Sequence, residues 1–386
     1  MDIILVITLI IFTTFYITRV LANKFGISSN YVWLLVSIHF LLTAAYILYA
    51  YSNSSDSFVY YRTSYDTEKW SELFDTGTSF VKFLAWPFTG FLGLSYLSVM
   101  LIFSYFGFIG ALLFYVSAKE NIYLRPRWMN FSLIELVFLL PNIHFWSASL
   151  GKGSVMLLAL GLFVFGLSRF NRRLLPMLFA GFIIYMIRPH ILFAIIISIM
   201  IGALITTSGL KAYVRWLIFF TGAVLFYFIS DSVLKFADLE TFNIFSSSTI
   251  SNRADELGRA SSGVDISQYN QLSKILTFWF RPLFLDADGM IGLLASLENL
   301  YYVIMVLVLI RGLVLYWYDW NGWFRIGLFI FLFGSFALAQ ITGNLGIAMR
   351  QKAQLMPFLF IIYFKAVSYN YYHREYRELT EAYNTN

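Results

Sequence analysis

The chain contains no cysteine among its 386 residues. Disulfides, cysteine-ligated zinc and iron–sulfur clusters are therefore excluded. Charged residues are also scarce at 12% of the chain, whereas a soluble domain has about 25%. We find no metal-ligand cluster and no serine-hydrolase elbow, so we expect neither a metal nor another cofactor, and a metal-dependent nucleotide-sugar enzyme is disfavoured.

Long apolar runs dominate instead. Hydrophobic residues make up 59% of the chain and the mean hydropathy is +0.72, which predicts an all-α polytopic membrane protein. Two runs are short for a hydrocarbon core of about 30 Å and are expected to be half-spanning or to line a cavity. The first run lacks a basic leader and a cleavage site, so we interpret it as a retained span. The eleven apolar segments lie near 2–20, 31–51, 96–116, 128–148, 154–168, 174–188, 190–207, 214–231, 291–311, 323–342 and 355–371.

Basic residues concentrate in alternate connections, which predicts the orientation. Lysine and arginine in short loops favour the cytoplasmic side. The basic connections carry Lys24, Lys119, Arg125, Arg127, Arg169, Arg172, Arg173, Lys211, Arg215, Arg311, Arg325, Arg374 and Arg377. The other connections include two acidic loops, 52–95 and 232–290. We therefore predict a single transmembrane domain over 1–371 with these two loops outside, the N-terminus out, and a cytoplasmic tail over 372–386.

In this orientation several cationic residues lie on the outer side, although lysine and arginine generally favour the cytoplasmic side. They are Lys152, Arg188, His190, Arg281, Arg350 and Lys352. A central arginine costs about 2.5 to 3.5 kcal/mol on insertion scales and usually has a function. A shared anionic ligand would explain the group, and a guanidinium fork suits phosphate. The net charge of the chain is +6. Its basic residues fall in short loops, so this charge does not indicate nucleic-acid binding.

The sharpest instance is Arg188-Pro189-His190, between two apolar runs. Proline ends or kinks a helix and frees backbone groups. Arg188 is a candidate phosphate clamp, and His190 is a candidate partner for proton transfer. The alternative is an interfacial turn with a snorkelling arginine.

A second candidate lies at the end of the long outer loop, in Phe278–Phe284. Trp279 and its aromatic neighbours suit the interface, and Arg281 would reach a headgroup. Its alternative is an aromatic belt with a lipid-facing arginine. Glu298, within the next apolar segment, is expected either to pair structurally with an arginine or to act as a base.

The remaining candidates lie in three loops. Arg350 and Lys352 follow the glycines of 343–346, where the backbone could approach a ligand closely. Lys152 lies in a Gly-Lys-Gly-Ser stretch without the full spacing or the strand of a nucleotide loop, so only an anion contact is considered. Asp66 and Tyr61, in loop 52–95, suit sugar hydroxyls and sugar faces. A solvated amphipathic helix is the equal alternative for that loop.

Several of these stretches together resemble one family, the Wzy-type polymerases of bacterial surface polysaccharides. The resemblance rests on Arg281–Phe284, Leu294–Asn299, Asn344–Gly346, Arg350–Lys352 with Pro357, Asn142–Gly153, Arg188–His190 and Thr76–Phe80. The motifs are short and degenerate, and their arrangement is more specific than any one of them. The outer loop of about 50 residues is modest for the family.

The resemblance implies a multi-pass glycosyltransferase of the GT-C type in the bacterial cytoplasmic membrane, without metal or nucleotide. Its donor and acceptor would be undecaprenyl-diphosphate-linked glycans at the outer (periplasmic) face. Membrane lipids, a chain-length regulator and a flippase are the partners to expect. Under this interpretation Arg188, Arg281 and Arg350 stabilise the diphosphate, with Lys152 and Lys352 as outer contacts. His190, or second Glu298, accepts the hydroxyl proton, and Trp279, Asp66 and Tyr61 contact glycan.

Two other functions fit the sequence. An O-antigen ligase shares the donor and differs in the acceptor, which the sequence does not report. A transporter or flippase of an anionic lipid-linked substrate predicts internal repeats and cations along a pathway to both faces. No repeat is visible and the unusual cations group on one side, which favours the enzyme.

Overall fold

The computed structural model describes residues 1–53, 55–122, 127–128, 131–205, 211–237, 263–264, 266, 269–287, 289–317, 320 and 322–384. α-Helices form most of this part of the chain, as predicted for an all-α membrane protein. They are α1 (Asp2–Phe25), α2 (Ser29–Ser52), α3 (Asp56–Asp66), α4 (Thr78–Trp86), α5 (Tyr96–Asn121), α6 (Leu133–Val137), α7 (Pro141–Phe145), α8 (Lys152–Ser168), α9 (Leu174–Ile187), α10 (Pro189–Ile205), α11 (Ala212–Ala237), α12 (Gln271–Phe280), α13 (Gly289–Tyr316), α14 (Gly322–Ile341) and α15 (Leu345–Asn384).

Within the described ranges, six helices are long and apolar enough to cross a membrane. They are α1, α2, α5, Ala212–Ser230 of α11, Gly292–Tyr316 of α13 and Gly322–Gln340 of α14. The apolar helices α8, α9 and α10 are shorter, at 10–17 residues. These helices confirm a multi-pass membrane protein. The full count of eleven spans, and which face is cytoplasmic, remain predictions.

One predicted span is not a continuous helix. Segment 128–148 is divided among a two-residue antiparallel strand pair (β1, Arg127–Trp128; β2, Phe131–Ser132), α6 and α7. Pro141 begins α7, and a proline cannot donate the backbone hydrogen bond that would continue a helix through it. Hydropathy reports that a segment is apolar and not that its backbone is unbroken, which is why the sequence misled here.

The chain divides into two compact units. That residues 1–371 are a single transmembrane domain stays a prediction. Unit 1 comprises residues 1–121 and 138–192, and unit 2 comprises 122–137 and 193–386. In unit 1, α8 packs along α5 at glycines. A Cβ on Gly161 would lie 2.4 Å from the carbonyl oxygen of Gly110, so the two backbones approach as only small residues allow.

Helices α5 and α8 of unit 1 run in the same direction. Near the start of both, the amide of Leu150 contacts the sulfur of Met100 at 3.2 Å. At their far ends, Arg169 and Arg173 pair with Glu120 at 3.2 and 2.8 Å.

In unit 2, α13 and α14 both pack on α15, and α12 packs on α14. Arg325, 2% exposed, donates to the carbonyls of Ile205 (3.1 Å) and Trp317 (2.9 Å), which joins the end of α10, the end of α13 and the start of α14. The opposite end of unit 2 contains the turn after α12, the start of α13 and the start of α15. We call it the polar end.

Candidate functional site

The turn between α12 and α13 is the centre of the polar end. Helix α12 ends before Arg281, and the Arg281–Pro282 peptide is cis. The Nε of Arg281 forms a short ion pair with the carboxylate of Asp286, five residues later. The other oxygen of Asp286 accepts from the amide of Leu283 at 2.5 Å. This carboxylate therefore holds the turn and one side of the guanidinium group together.

Lys352, on α15, is completely buried, and its side chain holds this turn in place. Its Nζ donates to the carbonyl oxygens of Trp279 (3.2 Å) and Arg281 (3.1 Å) and to Oδ1 of Asn299 (2.6 Å). An ammonium group has three donors, and each has an acceptor here. Asn299 in turn donates from Nδ2 to the carbonyl of Pro282 at 2.7 Å. Lys352 and Asn299 thus hold three carbonyls, one at the end of α12 and two in the turn that follows it.

Glu298 completes a buried charged group in the polar end. Its side chain is 7% exposed and accepts a short hydrogen bond from the hydroxyl of Tyr302, one turn later on α13. Glu298 interacts electrostatically with Lys352, whose Nζ lies 5.9 Å from the centre of the Tyr302 ring. A buried cation is stabilised by such a carboxylate. The charged partner of Glu298 seen here is therefore Lys352 and not the arginine that the sequence suggested, and its role as base stays a prediction.

Trp279 lies half-buried at the end of α12 and stacks on Phe331 of α14, with ring centres 5.0 Å apart. Its indole N–H is buried and has no hydrogen-bond partner among the described residues, and the same holds for the amide of Gln354 and the hydroxyl of Ser335. Buried polar groups are normally satisfied by protein, water or ligand. Unit 2 therefore contains polar groups available to a bound molecule.

Arg350 and Lys352 lie on different sides of α15. Two residues along a helix differ by about 200° of rotation, so the pair cannot face one ligand in the same way. Lys352 faces the turn, and Arg350 is half-buried elsewhere on the first turns of the helix. The start of α15 is capped by Asn344, whose Oδ1 accepts from the amide of Ile347 at 3.1 Å. The structure thus joins Trp279, Arg281, Glu298 and Lys352.

Arg188, in unit 1, ends α9 and directly precedes α10. Its amide donates to Ile184 at 2.8 Å, and its carbonyl accepts from Ile191 at 2.9 Å. The side chain is only 9% exposed. Two residues earlier, the carbonyl of Met186 accepts from the amide of Gly77 at 2.7 Å, so the loop 52–95 contacts the chain beside Arg188. His190 and Lys152 are both half-buried in the first turns of their helices.

The predicted glycan contacts Asp66 and Tyr61 differ in exposure. Asp66 is exposed at the end of α3, and its carboxylate lies 4.0 Å from the guanidinium of Arg62, which is also exposed. Tyr61 is half-buried, and its hydroxyl donates to the carbonyl of Leu94 at 2.9 Å. Burial, followed by Tyr65 and Asp2, raises the pKa of the Tyr61 phenol, so it remains a neutral donor. Asp66 lines an open groove with Val59, Arg62, Thr63 and Thr67.

Sequence reasoning gave no role to Asn299, Tyr302 or Asp286. A signal existed for the first two, since polar residues adjacent to Glu298 and one turn beyond it on an apolar helix point to the same buried group. Asp286 follows Arg281 by five residues, a spacing that has meaning only once the turn is known. Among the described residues, no group of three histidine, aspartate or glutamate side chains could hold a metal ion.

No family model, curated protein or solved structure matches this chain. The resemblance to polysaccharide polymerases accordingly remains an interpretation of the sequence motifs.

Proposed function

We propose that this protein is a GT-C-type membrane glycosyltransferase that polymerises undecaprenyl-diphosphate-linked repeat units at the outer face of the bacterial cytoplasmic membrane. The observation that carries the proposal is the partly exposed Arg281 held over the buried side chains of Glu298, Asn299 and Lys352 at one end of an apolar helical unit. Charges inside a membrane protein are costly and generally functional.

The charge of the group suits an anionic leaving group. Transfer breaks the bond between the anomeric carbon and the diphosphate while the acceptor hydroxyl oxygen forms a new bond to that carbon. Cations fixed before the reaction stabilise the charge that develops on the diphosphate. Arg281 is assigned this role in unit 2, and the same role for Arg188, Arg350 and Lys152 stays a prediction from the sequence.

Lys352 has a more specific place in this proposal. Its three donors are occupied by the turn and by Asn299, so a phosphate would have to displace one of them. Its main contribution is to fix the backbone from which Arg281 projects. Direct contact with the diphosphate stays a prediction.

The acceptor hydroxyl must lose a proton as it attacks. Glu298 is engaged by Tyr302 and Lys352. His190 stays the first candidate for the base, as the sequence predicts, with Glu298 second. His190 follows Arg188 by two residues at the start of α10, so it is held by the same helix junction. The polar groups without partners in unit 2 are suited to sugar hydroxyls.

The test is deletion of the gene in its native host, complemented by wild-type and Arg281→Ala forms, with surface glycans analysed on gels. We expect the deletion and the variant to lose the long ladder and retain single repeats. Fully polymerised but unattached lipid-linked glycan would indicate a ligase instead. An unchanged ladder would overturn the proposal and return the transporter to consideration.

A further inference from the structure

Two buried histidines of unit 1 contact each other, and neither belongs to the polar end or to the Arg188 junction. His39 lies in the middle of α2 and His144 in α7, and both are 0% exposed. Their Nδ1 atoms are 2.9 Å apart. The Nε2 of His39 lies 2.9 Å from the carbonyl oxygen of Ser104, and the Nε2 of His144 lies 2.7 Å from that of Phe138.

A count of hydrogens decides the charge of this pair. A carbonyl oxygen only accepts, so both Nε2 atoms must carry hydrogen. A neutral imidazole has one N–H, so two neutral rings would then turn two bare Nδ1 lone pairs toward each other at hydrogen-bond distance. One further proton between the two Nδ1 atoms satisfies all four nitrogens. The arrangement therefore fits one imidazole and one imidazolium, with three protons on four nitrogens.

The surroundings of the pair come from α2, α5 and α7. Thr43 and Ser104 contribute hydroxyls, which bond each other at 2.6 Å, and Phe40 and Phe108 contribute rings. Other titratable groups on these helices pack on neighbours of the pair: Tyr46 on Phe145 and Tyr105 on Phe108. The charges of α5, Lys119 and Glu120, are roughly four turns from Ser104. The carbonyl oxygens are therefore the main compensation for the buried charge.

We propose that His39 and His144 form a proton-binding site, which holds one proton at neutral pH. The bound proton fastens α7 to α2 and α5 at the point where segment 128–148 is interrupted. Loss of the proton would leave opposed lone pairs and loosen that contact. The proposal is independent of the proposed glycosyltransferase activity.

The direct test is nitrogen-15 NMR of the full-length protein, labelled at histidine, in detergent micelles or nanodiscs at neutral pH. The chain has only four histidines, so His190→Gln and His373→Gln identify the signals of the other two. We expect three protonated ring nitrogens and one unprotonated nitrogen from His39 and His144, with coupling between their Nδ1 atoms. Two protonated and two unprotonated nitrogens would show a neutral pair and overturn the proposal.

Stability against pH provides a second test. A site that binds its proton more tightly in the folded state stabilises the fold below the unfolded histidine pKa of about 6.5 and loses that contribution as pH rises. We expect the melting temperature of the wild type to fall by about 2–4 °C as the site deprotonates. The double variant His39→Gln/His144→Gln should lack this dependence, and His190→Gln/His373→Gln should retain it. If His190→Gln/His373→Gln removes the pH dependence of the melting temperature, the proton is not held by His39 and His144.

Discussion

The same dipeptide, Arg-Pro, ends one helix in each unit, with different results. At Arg188-Pro189, proline becomes the first residue of α10 and the chain continues at once as helix. At Arg281-Pro282, the chain leaves α12 and forms a turn before α13 begins at Gly289. Proline is well suited to the first helical position because its missing N–H is not needed there. The residues after the proline therefore decide whether the dipeptide joins two helices or builds a loop.

The two junctions are also supported differently. In unit 1, the chain beside Arg188 is held by a backbone contact, because the amide of Gly77 donates to the carbonyl of Met186 at 2.7 Å. In unit 2, the turn is held by hydrogen bonds from the buried Lys352 and Asn299. Backbone contacts thus hold the chain beside Arg188, whereas a network of buried polar side chains holds the turn at Arg281. Substitutions in each unit test these two kinds of support separately.

The largest effect should come from removing either guanidinium. Arg188→Ala and Arg281→Ala are each expected to reduce polymer formation about 100-fold or more, because each removes a fixed charge from the diphosphate. Lysine replacements should retain part of the activity, since they keep charge and lose the fork. Polymer length on gels, with membrane insertion verified by a fusion tag, is the measurement. A normal ladder from an inserted alanine variant would remove that arginine from the mechanism.

Lys352→Met should give the largest loss of stability. Truncation leaves two carbonyls and the amide oxygen of Asn299 buried without their donor, which we expect to cost about 2–4 kcal/mol. Lys365→Met on the same helix is the matched control: Lys365 contacts only aromatic faces here, Phe324 and Tyr369 at 4.8 and 4.7 Å. The control should lose about 1 kcal/mol or less. Thermal unfolding in detergent compares them, and equal losses would contradict the anchoring role of Lys352.

Close packing in unit 1 is tested by Gly161→Ala. The new Cβ would meet the carbonyl oxygen of Gly110 at 2.4 Å, so α8 must move away from α5, at an expected cost of about 1–3 kcal/mol. Gly181→Ala in α9 is the control, because its nearest neighbour is a Leu192 methyl group at 4.0 Å. That control should be neutral or gain up to about 1 kcal/mol. Detergent melting curves measure both, and a stable Gly161→Ala would show that the two helices do not need this approach.

The smallest effect is expected from Asp286→Asn. The amide oxygen can still accept from Leu283, while the ion pair with Arg281 is lost. Both side chains are partly exposed, at 30% and 23%, so the loss should be about 1 kcal/mol or less. Thermal unfolding of Asp286→Asn and Lys352→Met, measured side by side, tests whether the loss of stability is smaller for Asp286→Asn. A loss as large as that of Lys352→Met would place the anchor of the turn at Asp286.

Most helices of this fold were predictable from composition, because a long apolar run has few alternatives in a bilayer. The stretches near Arg188 and Arg281 were also predictable as helix ends, since proline marks them. Segment 128–148 was not, because its apolar composition hides the break at Pro141. His144 contacts His39 and the carbonyl of Phe138, and no local signal in the sequence pointed to His39 as its partner.

The sequence by itself determined that this is a multi-pass helical membrane protein, and it singled out a set of unusually placed cations. Only the tertiary structure decided which charges meet. Lys352 lies 71 residues after Arg281 and holds its carbonyl, whereas Arg350, two residues from Lys352, lies on another side of α15. The physical reason is that hydropathy acts on each segment alone, whereas a buried polar group is satisfied by whatever side chain packing brings within about 3 Å.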